Sequence, residues 1–349
     1  MNLNSRKQAF ASLGKFLNKY TSDKIDFSTE EKLQADLLDQ AILNATTHNN
    51  WFIKEDIFYN LKHWSKILNL ENINSWLSSY RFKEEKPKTV AIIMAGNIPL
   101  VGFHDFLSVL ISGHKVLAKQ SSKDQHLLPF IANFLINENS EFENRIQFTD
   151  EKLTNYDAVI ATGSNNTARY FEYYFSEKPH IIRKNRNSVA VLTGKETVEE
   201  LKPLGEDIFR FYGLGCRNIS KIFVPKNYDF DDFFKAIYDW NPIINSHKYA
   251  NNYDYNKAVY LMSEFNILEN GFFILKEDTA YSSPIACLFY EYYDDLESLK
   301  EKLKQDKNQI QCVISQNKEF GKISFGETQL PKLNDYADDI DTLNFLTKI

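Results

Sequence analysis

The chain has 349 residues, more than one hydrophobic core usually serves, so two domains or one domain with an extension are expected. At 43% hydrophobic and 25% charged residues it is globular in composition, and its net charge of −6 excludes the basic face that a nucleic-acid partner needs. Three cysteines in so long a chain make no disulfide framework, which points to a reducing compartment, and a cytoplasmic location is expected.

In chain order, "MNLNSRKQAFASLGKF" has no long apolar run and no small-residue cleavage pattern, so no secretory segment is expected. Residues 1–86 read as a helical extension packing on the domain that follows. Ser28 and Glu31 form a capping box before "EKLQADLLDQAIL", and "DIFYNLKHWSKILNL" and "INSWLSSYRF" continue the helical period. "KEEKPK", Lys83 to Lys88, reads as a charged linker. The longest apolar stretch, Val90 to Phe103, is too short to span a bilayer and is broken by Asn97 and Pro99, so no membrane span is expected.

Residues 87–195 alternate strands with helices. "TVAIIMAG", "KVLAKQ" and "DAVIATGS" read as strands; "PLVGFHDFLSVLISG", ended by Gly113, "QHLLPFIANFLI" and "NTARYFEYYF" read as helices. Such alternation predicts an α/β fold with a parallel sheet. Ligands of these sheets bind at the carboxyl ends of the strands, where "MAGN", "AKQSS" and "ATGS" stand, so the segment reads as a nucleotide-binding domain. Residues 196–349 form a second α/β unit. The helix "VEELKPLGEDIFRFYG" leads into a loop at Cys216, and "KIFVP", "GFFILKED", "IACLFYEYY" and "IQCVIS" follow as strands. Cys287 and Cys312 lie in apolar runs and are assigned to the strand core; Cys216 follows Gly213 and Gly215 and precedes Arg217, a cation able to favour a thiolate. His247 is the sole histidine past that loop and is a candidate for proton transfer. No Gly-x-Gly-x-x-Gly, phosphate-loop, His-Glu-x-x-His or Gly-x-Ser-x-Gly pattern occurs, so no metal is assigned.

The ordered set "GNIPL", "AKQSS", "ATGS" and "GLGC" resembles the aldehyde dehydrogenase superfamily, and within it the LuxC-like acyl-CoA reductases, the reductase component of fatty acid reductase. The likeness runs from about Thr89 to Cys312. It implies an aldehyde-dehydrogenase-like fold, with a Rossmann-like cofactor domain, an α/β catalytic domain and the N-terminal helical extension. It makes Cys216 the nucleophile and gives Asn97, with the Cys216 backbone N–H, the oxyanion. It gives Lys119 the adenosine ribose, Ser121 a place in the same turn, and Thr162, Gly163 and Ser164 the pyrophosphate at a helix N-terminus. Plainer roles are a turn residue for Asn97, a strand-end lysine for Lys119 and an N-cap for Ser164.

Two departures from the family pattern carry information. No Asp or Glu occurs between Lys178 and Lys195, where aldehyde-oxidising members place a general-base glutamate. Without it an acyl-enzyme is not hydrolysed, which favours thioester reduction. Arg183, Lys184 and Arg186 stand there instead, as candidate contacts for CoA or cofactor phosphates. The acidic residue that follows the ribose lysine is replaced by Ser122, with Lys123 next, which predicts NADPH over NADH. The matching nicotinamide-ribose glutamate position falls on Ala280. The expected substrate is an acyl-CoA or acyl-carrier thioester, fatty by family branch. An acyl-protein synthetase or transferase partner and a homo-oligomer stay open, as do two other readings: an NAD(P)-dependent aldehyde dehydrogenase, and a cofactor-independent acyl transferase or thioesterase.

Overall fold

A computed structural model describes residues 1–22, 26–82, 86–321 and 323–349. Of the expected linker, Lys83, Glu84 and Glu85 lie outside the described residues. The chain forms two compact units, one of residues 1–184 with 332–349 and one of residues 185–331. The division falls at Lys184 rather than at residue 195, and the last eighteen residues return to the first unit instead of staying with the second.

The first unit begins with four helices, α1 (Leu3–Tyr20), α2 (Thr29–His48), α3 (Lys54–Ile67) and α4 (Leu70–Leu77). The expected capping box opens α2: the Ser28 hydroxyl accepts the Glu31 N–H, and the Glu31 carboxylate accepts the Ser28 N–H. Next come β1 (Thr89–Ile93), α5 (Phe103–Ser112), β2 (Lys115–Lys119), α6 (Leu127–Glu138), β3 (Ile146–Phe148), β4 (Ala158–Thr162), α7 (Asn165–Tyr174) and β5 (His180–Arg183). The strands make one parallel sheet in the order β3-β2-β1-β4-β5. Alternate residues serve its two faces, as the pleat requires. Val90, Ile92, Val116 and Ile160 join the core built with α1, α3, α5 and α6, while Ala91, Val159 and Ala161 meet Phe171 and Phe175 of α7. The helical extension is therefore part of the sheet's own core. Phe10, Leu13, Ile57 and Leu61 are fully or almost fully buried there, each worth roughly 1.5–3 kcal/mol by area.

The second unit carries β6 (Asn187–Val191), α8 (Val198–Leu201), α9 (Leu204–Phe209), β7 (Ile219–Pro225), α10 (Asp231–Ile237), α11 (His247–Met262), β8 (Ile267–Glu269), β9 (Ile274–Glu277), β10 (Cys287–Tyr293), α12 (Leu296–Gln305) and β11 (Ile310–Ile314). Its sheet runs β11-β6-β7-β10-β9-β8, parallel except for β8 against β9. The single helix expected before the cysteine loop is two short ones, parted at Lys202 and Pro203. Proline removes a backbone donor that a continuous helix would use. The chain ends on α13 (Thr342–Leu346) in the first unit, where Tyr336 accepts the Trp76 indole N–H at 2.7 Å.

The carboxylate-free segment between Lys178 and Lys195 is mostly strand. It supplies β5 and β6, and only Lys184, Asn185 and Arg186 connect them. Arg183, expected to face a phosphate, is buried at 5% exposure, its guanidinium ion-paired with Asp105 of α5 and donating to the Thr342 hydroxyl at 2.9 Å. A guanidinium committed to a buried carboxylate and hydroxyl is not presented to solvent, so that expectation is corrected. Removing one member of a buried pair leaves the other charged and alone, which costs about 3–5 kcal/mol. Asp105→Ala should therefore lower the urea unfolding free energy by about that much; a loss under about 1 kcal/mol would show that the pair does not hold β5, α5 and α13 together.

Candidate active site

Parallel pairing sets the first group of residues. Ile93 pairs with Lys119 and with Ala161, and Thr162 pairs with Arg183, so β1, β2 and β4 end at one level. Asn97, Lys119, Ser121, Ser122, Lys123, Thr162, Gly163 and Ser164 all follow or close those strands and share one edge of the first unit. Gly96 makes the closest approach: a Cβ there would lie 2.6 Å from Ser121 Cβ and Oγ, so only glycine lets the two turns touch. Lys119 Nζ donates to the Glu151 carbonyl at 2.9 Å, and the side chains of Ser122 and Lys123 are exposed. Ser164 caps α7, accepting the Thr167 N–H at 3.2 Å. A lysine, several hydroxyls, an exposed cation and a ten-residue helix opening on its N–H groups form a donor set suited to an anionic, ribose-bearing cofactor.

The N-terminal helices hold this edge from outside, a contribution the sequence did not signal. Within the first unit, His48 Nε2 lies 2.7 Å from the Ser122 carbonyl, Asn49 Nδ2 donates to the Lys123 carbonyl at 3.1 Å, and Asn60 Nδ2 donates to the Pro99 carbonyl at 2.6 Å.

The second unit holds Cys216. Its thiol-bearing residue is exposed, outside any disulfide, in the loop that enters β7. Phe211, Tyr212 and Gly213 run consecutively in left-handed backbone, with φ of 55°, 56° and 74°. Such a conformation costs a non-glycine residue about 1–2 kcal/mol, so the surroundings must enforce it. Phe211 and Tyr212 are both buried. Asn218, 2% exposed, supplies the polar part of that enforcement: Nδ2 donates to the Arg210 carbonyl at 2.8 Å and the Asp207 carbonyl at 3.0 Å, and Oδ1 accepts the Gly215 N–H at 2.8 Å. The Ser188 hydroxyl donates to the Cys216 carbonyl at 3.0 Å. Asp207, fully buried, accepts from the Gly326 N–H, the Thr328 N–H and the Thr328 hydroxyl. Burial pushes its carboxyl up to about 6 despite those donors.

Arg217 Nη1 donates to Cys312 Sγ at 3.6 Å, which ties the cysteine loop to β11. Cys287 and Cys312 are buried in β10 and β11 as their apolar settings predict, and burial pushes the Cys287 thiol up to about 12. Residues 280–290 border β7, the strand that follows the cysteine loop, where the Ser220 hydroxyl donates to the Tyr281 carbonyl at 2.7 Å. A cavity of about 30 Å³, lined by Tyr212, Gly213, Ser283 and Ile285, lies there; it holds a water at most and not an acyl chain. His247 is exposed at the start of α11, and the ring of Tyr249, two residues on, meets that of Tyr212 at a tilt, 6.2 Å between centroids. Of the basic residues expected at phosphates, Lys184 pairs with Glu172 at 2.8 Å and Arg186 reaches the Ile310 carbonyl at 3.5 Å.

A family model for acyl-CoA reductases (LuxC) matches residues 12–238. The chain belongs to this family. It is an oxidoreductase acting on aldehyde or acyl groups. No curated protein matches the sequence. Among solved structures, the chain is similar to aldehyde dehydrogenase 21 from Physcomitrella patens in complex with succinate, at 12% identity and a TM-score of 0.62, covering 90% of this chain and 73% of that one. An aldehyde dehydrogenase from Bacillus cereus in complex with NAD+ is similar at 13% identity and a TM-score of 0.58, covering 92% and 75%. An indole-3-acetaldehyde dehydrogenase complexed with NAD+ gives 13% identity, a TM-score of 0.61, and coverage of 90% and 75%. These likenesses establish an aldehyde-dehydrogenase-like fold. Among the described residues no helix is long and apolar enough to cross a membrane.

Asp207 gives a pH prediction. The folded chain holds its proton more tightly than the unfolded chain, so this group's contribution is greatest below about pH 4 and declines as pH rises toward 6. Asp207→Asn should flatten the fall in urea-unfolding stability between pH 4.5 and 6.5, measured against wild type. An unchanged slope would mean that Asp207 does not titrate in that window.

Proposed function

We propose that this acyl-CoA reductase family member reduces an acyl-CoA or acyl-carrier thioester, fatty in its acyl group, to the aldehyde with NADPH. The observation that carries the reading is the exposed Cys216 in a loop held left-handed by Asn218. A strained, braced loop around one exposed thiol is an arrangement seen where a nucleophile is positioned.

In this reading the Cys216 thiolate adds to the thioester carbonyl, the bond from carbonyl carbon to the donor sulfur breaks, and CoA or the carrier thiol leaves with the electron pair and takes up a proton. The thiol's ordinary pKa of about 8.5 requires that its proton be removed or its charge favoured on attack. The nicotinamide cofactor, when bound, supplies hydride to the acyl carbon. The Asn97 amide and the Cys216 backbone N–H donate to the oxygen as it gains charge. The resulting thiohemiacetal releases aldehyde when the C–S bond to Cys216 breaks, and His247 is the candidate to move the proton. Asn97 and Cys216 stand in different compact units, and their cooperation belongs to the proposal.

A nicotinamide cofactor is supported by the NAD+ bound in the Bacillus cereus structure and by the donor set at the first sheet's edge. The choice of NADPH rests on Ser122 and Lys123, whose exposed side chains offer a hydroxyl and a cation where a carboxylate would repel a 2′-phosphate. Reduction rather than hydrolysis is favoured by the absence of Asp and Glu from Pro179 to Gly194. The acyl group would reach the site on CoA or from an acyl-protein synthetase or transferase.

Long-chain acyl-CoA mixed with the protein should consume NADPH, followed by its absorbance, in step with aldehyde trapped by a hydrazine. CoA release with constant NADPH would overturn the reading in favour of acyl transfer. Cys216→Ala should abolish both CoA release and NADPH consumption, while Asn97→Ala should fold and turn over about 10²–10³-fold more slowly. Ser122→Asp should raise the KM for NADPH relative to that for NADH by about tenfold, one charge repulsion's worth; an unchanged ratio would place 2′-phosphate selection elsewhere.

A further inference from the structure

Asp124 has no role in the reading above, yet it lies between the two turns that reading depends on. It is 9% exposed, and its carboxyl Oδ2 accepts the Leu100 N–H at 2.8 Å. Its own N–H donates to the Ser121 carbonyl at 3.0 Å, and its carbonyl accepts from Gln120 Nε2 at 3.2 Å. One residue thus bonds through its side chain to the turn after β1, which bears Asn97, and through its backbone to the turn after β2, which bears Ser121, Ser122 and Lys123.

Leu100 itself needs holding. It is a buried leucine with φ of 57°, a conformation that L residues avoid, and it immediately follows Pro99. The Pro99 carbonyl is fixed by Asn60, and Gly96 leaves no space between the two turns at Ser121. The carboxyl is an expensive way to accept one N–H. No cation among the described residues pairs with it, its Oδ1 is buried without a hydrogen-bond partner, and burial pushes its pKa up to about 6. A group retained against that cost marks a place where geometry outweighs stability.

We propose that Asp124 is a positioning residue: its hydrogen bond to Leu100 locks the Asn97 turn to the Ser121–Lys123 turn, so that the oxyanion donor and the cofactor's ribose and phosphate contacts keep one fixed geometry. The inference rests on the reading of Asn97 and Ser122 given above. It assigns the acyl-CoA reductase a second determinant of cofactor affinity, one that touches neither substrate nor cofactor.

The test compares Asp124→Asn, whose amide oxygen still accepts the Leu100 N–H, with Asp124→Ala and Asp124→Ser, which cannot reach it. NADPH binding by the intact protein is read from quenching of tryptophan fluorescence; KM, kcat and the burst of CoA release are read with long-chain acyl-CoA. Asp124→Asn should keep NADPH affinity and kcat near wild type. The short variants should weaken NADPH binding and lower kcat, together by about 10–100-fold, as small misplacements of reacting groups do, while the CoA burst from Cys216, slowed with its oxyanion donor, keeps its full amplitude. Short variants that melt earlier yet keep KM and kcat within about twofold would reduce Asp124 to a merely structural role. Asp124→Asn as impaired as Asp124→Ala would also overturn the proposal, since the hydrogen bond would not be what matters. If Asp124→Ala does not fold, Asp124→Ser gives the same comparison. Wild type that binds NADPH but reduces no thioester would end the functional reading alone, because the binding comparison still decides the coupling.

Discussion

The cysteine loop stands on a constraint that its own residues do not satisfy. Phe211, Tyr212 and Gly213 take left-handed backbone in succession, and two of them pay a steric cost for it. The buried Asn218 amide spans the bend, bonding the carbonyls before it and the Gly215 N–H after it. The Asp207 carboxylate ties the same helix end to Gly326 and Thr328. Cys216 is left exposed at the tip of a loop braced beneath it by these hydrogen bonds, which suits the nucleophilic role proposed for it.

The first unit reaches a comparable result by different means. Parallel strands place every carboxyl end on one edge, so residues from Asn97 to Ser164 converge without long loops. Contact between the turns then depends on what is missing and what is buried: the absent Cβ of Gly96 and the carboxyl of Asp124. The N-terminal helices belong to this arrangement. They share the sheet's core and also reach the backbone of the turn after β2 through His48 and Asn49 and that of the turn after β1 through Asn60.

Much of this was legible in the sequence because it is local. Strand–helix alternation, the Ser28–Glu31 capping box and the Gly113 helix end each need only neighbouring residues to be read, and each stands in the structure. The misses are nonlocal or short. β3 and β8 have three residues each, too few to show a period, and the polar neighbours of β5 hide a four-residue strand. Arg183 reads as a candidate phosphate contact because its partners, Asp105 and Thr342, lie 78 and 159 residues away. Asp124 sits in the polar run "QSSKDQ", where nothing local says that one of six residues is covered by the turn after β1. Asn218 carried a weak signal, an amide two residues past the cysteine, that only the left-handed backbone before it explains.

The central claim is that Cys216 carries the acyl group. Intact and peptide mass spectrometry of the protein mixed with long-chain acyl-CoA, without NADPH, tests it most directly. The account predicts one acyl adduct, on the peptide containing Cys216, that disappears when NADPH is added. An unmodified protein, or an adduct on Cys287 or Cys312, would contradict it.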